Sequence, residues 1–113
     1  MKISQHNNTT VFYWENSDPI GIYFRNLVKR NYKNMHQQNI IIDISSIKPL
    51  KSKHVLEFSE LNIYNKEKVS KSFVVVVGTM SVSKIPDVIA TAPTLQEALD
   101  IVEMEEIERD LGY

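Results

Sequence analysis

The chain alternates between short, wholly apolar runs and longer stretches in which apolar residues return every three or four positions. Residues 39 to 44, NIIIDI, and residues 72 to 78, SFVVVVG, are continuous β-branched runs, and such runs predict strands buried on both faces. Residues 2 to 6 and 9 to 15 (TTVFYWE) are also rich in strand formers. Asn7-Asn8 between them is a turn signal, so a hairpin or a split first strand is predicted. A further short strand, DVIATA, precedes Pro93.

Three segments carry helical spacing instead. In the first, Ser17 or Asp18 suits a cap and Pro19 suits the first helical position, while Ile20, Tyr23, Phe24, Leu27 and Val28 share a face. Arg25, Lys29, Arg30 and Lys33 then fall on the outer side. The second runs from Ser52 to about Tyr64, with Val55, Phe58 and Leu61 on one face. The third opens with TLQE, where Thr94 as N-cap and Glu97 three positions on form a capping box; Leu95, Ala98, Leu99 and Val102 make its stripe.

Buried strands alternating with amphipathic helices predict a single α/β domain, residues 1 to 113, in the order β-β-α-β-α-β-β-α. Its sheet is expected to be mixed and mostly parallel, with four to five strands, three main helices and right-handed crossovers. A chain of 113 residues buries about two-thirds of its surface and cannot feed two cores.

Composition narrows the class without naming a chemistry. With 42% hydrophobic and 24% charged residues, the chain is that of an ordinary globular protein. The absence of cysteine excludes disulfides and thiolate metal sites. The first residues lack an apolar signal core, and the longest wholly apolar run, Phe73 to Val77, is far short of the roughly 20 residues that span a bilayer. A soluble, cytoplasmic protein with no membrane partner is expected.

The formal net charge of −1 conceals a polarity: residues 1 to 84 carry twelve Lys/Arg and six Asp/Glu, whereas residues 85 to 113 carry one Arg and eight acids. Such segregation steers partners when it is not simply solvated helix surface.

The stretch IIIDISSIKPLKSKHVLEF concentrates the candidate chemistry. Asp43-Ile44-Ser45 closes a strand, and Lys51-Ser52-Lys53-His54 opens a helix after a short turn. This arrangement resembles the central motif of the STAS domain, the fold of bacterial anti-sigma-factor antagonists, in which an Asp-Leu-Ser-like tripeptide ends the strand and an Asp-Ser-Ser-Gly-like tetrapeptide opens the helix. PTLQEAL likewise resembles the family's last strand-to-helix junction, and the element order agrees from about residue 9 to residue 102. The tail TLQEALDIVEMEEIERDLGY is similar to that of small bacterial STAS-like proteins often labelled ribonuclease Z.

The resemblance implies a phosphorylatable switch at the helix mouth, where phosphate would meet unpaired backbone N–H groups. In the family the phosphoacceptor is the second serine of the tetrapeptide; Lys53 stands there in this chain, Lys51 replaces the acid and His54 the glycine. Ser52 keeps the first serine. Three roles are open to it: a phosphoacceptor, a plain N-cap, or part of a constitutive anion site formed with Lys51 and Lys53.

No catalytic or metal-binding set stands out. His6, His36 and His54 lie in three different elements, without the His-x-His-x-Asp-His cluster that a ribonuclease Z requires, so solvent-exposed or capping histidines are expected, and the chain is short for that fold. There is no Gly-rich phosphate loop, so no cofactor is expected. Asp43 at a strand end is placed either for function or to tie down the turn. Two basic groups, Arg25/Lys29/Arg30/Lys33 and Lys48/Lys51/Lys53, have Tyr23 and Tyr32 near the first; they fit either RNA or a solvated surface. Past Val102, the residues Met104, Ile107 and Leu111 lie on a face rotated from the core stripe. They either form a second apolar strip for a partner helix or homodimer, or pack on the edge of the sheet.

Together these features predict a non-enzymatic regulatory module that binds a protein, such as an anti-sigma factor or a serine kinase-like regulator. The expected contacts are Ser45, Ser46, Lys51, Ser52, Lys53 and His54 at the helix mouth, and Met104 and Ile107 on the last helix. An RNA-associated accessory protein working with a ribonuclease is the alternative, and steep salt dependence distinguishes it.

Overall fold

A computed structural model describes residues 1–33 and 37–112. The strands β1 (Lys2–His6), β2 (Thr9–Tyr13), β3 (Asn39–Asp43), β4 (Phe73–Val76) and β5 (Ala90–Ala92) form one sheet in the order β1-β2-β3-β4-β5. The β1–β2 pair is an antiparallel hairpin turning at Asn7, whose φ of 54° a short polar side chain tolerates. Every later pairing is parallel. The expected α/β architecture, with a mixed but mostly parallel sheet, is therefore present.

Because side chains alternate along a strand, each apolar run feeds two cores at once. Phe12, Ile40, Ile42, Phe73 and Val75 point into the larger core, and Val11, Ile41, Val74 and Val76 into the smaller. That division explains why β3 and β4 read as solid apolar blocks: up to the partly exposed Asp43, both faces of each strand are buried.

The helices are α1 (Ile22–Tyr32), α2 (Ser52–Leu56), α3 (Ser59–Glu67) and α4 (Leu95–Asp110). The strands advance across the sheet in one direction, so right-handed crossovers put α1, α2 and α3 on the same face. Phe24, Val28, Tyr32, Val55, Phe58 and Leu61 close the larger core there, with Phe24 and Phe58 edge to face at 6.2 Å. After β5 the chain turns back, and α4 covers the opposite face over β3, β4 and β5 through Ala98 and Val102.

Three elements depart from the sequence expectation. The first helix starts at Ile22, not Pro19: Gly21 holds a φ of +73°, which no helix accommodates, and the indole N–H of Trp14 donates to the Pro19 carbonyl at 2.9 Å. Ile20 and Tyr23 are consequently exposed. The second helix is broken between Leu56 and Ser59, with Phe58 as the N-cap of α3 and the Ser59 hydroxyl donating to the Leu56 carbonyl at 2.7 Å. The last strand is confined to Ala90–Ala92; Ile89 before it belongs to the core without pairing.

Candidate interaction surfaces

At the carboxyl end of β3, the Asp43 carboxylate accepts two bonds from Ser45, from its N–H at 3.1 Å and from its hydroxyl at 2.6 Å. Asp43 and Ser45 are thus tied to each other and fix the turn. Gly78, at φ +62°, passes close to them: a Cβ there would lie 3.5 Å from that of Ser45. Ser46 is exposed.

The turn leads to Lys51, which is the N-cap of α2, so Ser52 is its first residue and not its cap. The capping role falls to His54, one of the histidines for which a capping or solvent-exposed place was expected. His54 Nδ1 accepts from the Lys51 N–H at 2.9 Å, which requires a neutral imidazole protonated on Nε2. Its burial, with 9% of its surface exposed, and the adjacent Lys53 ammonium hold its pKa below the usual histidine value. Lys51 and Lys53 are exposed and Ser52 half-buried. A helix of five residues has little macrodipole, and His54 already engages the Lys51 N–H.

The last helix holds the less expected geometry. Thr94 caps it by accepting from the Glu97 N–H at 3.2 Å. Its first two turns bury Ala98 and Val102, with Leu95, Leu99 and Ile101 at the margins. Beyond Val102 the inward positions are polar. Arg109 donates to the Ser72 hydroxyl at 3.0 Å and to the Asn39 side-chain carbonyl at 3.1 Å, and the Asn39 amide donates to Glu106. Asn39 Oδ1 also accepts from the Ser72 N–H at 2.9 Å.

The helix therefore packs back along its length, and its apolar residues are on the outside: Met104 is 63% exposed, Ile107 53% and Leu111 64%. At about 100° per residue these three lie opposite Val102, so the alternative in which they pack on the sheet edge is overturned. Glu103, Glu108 and Asp100 flank them, and α4 carries seven acids against one arginine.

On the other face, Arg25, Lys29 and Lys33 of the first basic group border a groove of about 670 Å³ between α1 and α3. Tyr32, Leu61, Tyr64 and Val69 line it, together with Lys68, Glu60 and Gln37. Sequence reasoning missed Lys68, Asn39, Ser72 and Arg109. Carrying the 3.6-residue period past Val102 would have found the last of these, since Glu105, Glu106 and Arg109 continue the inward stripe.

The histidines do not converge. His6 Nε2 pairs with the Ser4 hydroxyl at 3.1 Å on β1, His54 sits at α2, and His36 lies outside the described residues. Among the described residues no group of three His, Cys, Asp or Glu side chains is disposed to hold a metal, and no helix is long and apolar enough to cross a membrane. No family model and no curated protein sequence matches the chain.

Proposed function

We propose that the chain is a non-enzymatic protein-interaction module of the STAS type, acting in a bacterial regulatory system on an anti-sigma factor or a serine kinase-like regulator. The inversion of α4 beyond Val102, polar toward the sheet and apolar toward water, carries this reading. Burying one such side chain is worth about 1.5–3 kcal/mol, so a strip of three on one helix face is a large unused reserve of binding energy.

The charge around the strip selects the partner. With a net charge of −6 on α4, a second copy docked helix to helix would set carboxylates against carboxylates. A cationic amphipathic segment of another protein meets the strip with both hydrophobic and electrostatic complementarity. Support for the STAS type comes from the antiparallel edge strand followed by parallel β-α units, and from Asp43 and Ser45 bonded together where the resemblance puts its strand-end motif. Ser46, Lys51, Ser52 and Lys53 at the mouth of α2 provide a second contact area.

Affinity capture of the tagged protein from its own cells, with and without nuclease, tests this function. The expected result is an anti-sigma factor or serine kinase-like protein retained after nuclease treatment, lost with Met104→Ser plus Ile107→Ser, and weakened with Lys51→Glu plus Lys53→Glu. Recovery only of RNA or a ribonuclease, released by nuclease, would replace this function with that of an RNA-associated accessory protein.

A further inference from the structure

We propose that the groove between α1 and α3 binds a small phosphorylated ligand with a planar aromatic body, of the nucleoside monophosphate class. Four cations, Arg25, Lys29, Lys33 and Lys68, line it against a single carboxylate, Glu60, giving a local charge of +3 in a chain whose net charge is −1. Among the described residues none of these four is engaged in an ion pair. Arg25 Nε donates to the Asn26 side-chain carbonyl at 3.1 Å, a neutral partner that leaves its charge uncompensated. A convergence of uncompensated cations in a concave site concentrates anions, and a dianionic phosphomonoester takes fullest advantage of it.

The body of the ligand is indicated by the apolar part of the groove. Tyr32 is fixed by donating its hydroxyl to Asn65 at 2.7 Å and meets Tyr64 edge to face at 6.1 Å. Asn65 is itself anchored by donating to the Ser72 carbonyl at 2.8 Å. The tyrosine pair is thus held from beneath, while Tyr64 remains 51% exposed and free to stack on a flat ring, beside Leu61 and Val69. A volume of about 670 Å³ falls within the roughly 300–1,000 Å³ of sites for small organic ligands. The groove is on the face opposite α4, so ligand and protein partner would not compete for one surface.

Titration of the ¹⁵N-labelled protein with adenosine 5′-monophosphate, adenosine, inorganic phosphate and a short oligoadenylate, followed by amide shifts, tests the site. Adenosine 5′-monophosphate is expected to shift residues around Lys33, Tyr64 and Lys68 and to bind at least about tenfold more tightly than adenosine or phosphate. Lys29→Glu plus Lys68→Glu, with an undisturbed amide spectrum elsewhere, should abolish those shifts, and Tyr64→Ala should weaken the nucleotide while leaving phosphate unchanged. The proposal is overturned if the nucleotide at millimolar concentration leaves the groove unshifted, if the charge-reversed protein binds it equally, or if only the oligonucleotide binds. Capture of a protein through α4 should survive Lys29→Glu plus Lys68→Glu, so the groove and the partner surface fail or stand separately.

Discussion

His54 couples the turn before α2 to pH. Its Nδ1 must be unprotonated to accept the Lys51 N–H, and burial together with Lys53 depresses its pKa below the unfolded value near 6.5. The unfolded chain therefore binds this proton more readily than the folded one, and the contribution is complete above about pH 6.5 and declines as the pH falls toward the folded pKa. Urea midpoints measured across that range should fall on acidification for the wild type and fall less for His54→Gln, whose amide oxygen can accept without titrating; parallel profiles would show that the cap does not titrate. Gly78 makes a second residue-scale test. Space for a methyl group exists beside Ser45, so Gly78→Ala should cost only the left-handed backbone penalty, about 1 kcal/mol in denaturant unfolding. Capping was one of the bland roles the sequence allowed its histidines, though nothing singled out His54 for it, and Asp43 binding back to the turn was one of the two readings its position allowed; the close approach of Gly78 to Ser45 was not legible.

The central strands β3 and β4 were readable because three or four adjacent β-branched residues have few other places to go, and α4 because its cap, stripe and length agreed. The start of α1 and the break between α2 and α3 were not, since each depends on a tertiary contact: Trp14 on Pro19 for one, and buried Phe58 turning the chain for the other. The polar end of α4 is the most consequential of these tertiary features. Asn39 is fully buried and receives both Ser72 and Arg109, so Asn39→Ala should strand two donors and destabilise the fold by about 2–4 kcal/mol in urea unfolding. Arg109→Ala should have a smaller effect on global stability but accelerate amide exchange in the last two turns of α4 selectively. Uniform acceleration throughout the sheet would contradict the idea that this network serves chiefly to pin the helix end. Ala98, fully buried where α4 crosses the sheet, leaves no space for a larger residue; Ala98→Leu should cost about 1–3 kcal/mol by the same unfolding measurement.

Across the whole molecule, the sheet separates two electrostatic worlds. The cations of α1 and of the groove beside it occupy one side, and the seven carboxylates of α4 the other, so a near-neutral chain presents two surfaces of opposite sign. This division was visible in the sequence as a charge asymmetry, but the pairing of Lys68 with α1 needed the folded geometry of α3. The proposed docking role of α4 rests on the exposed apolar strip along its acidic side. A photo-crosslinking amino acid installed in cells at Ile107, compared with one at the similarly exposed Ile63 on α3, probes that surface most directly. One discrete protein adduct at position 107, absent at position 63 and diminished by reversing the acids Glu103 and Glu108 to lysine, is the predicted result. Equal labelling at both positions, or none at 107, would contradict the assignment of α4 as the partner-binding helix.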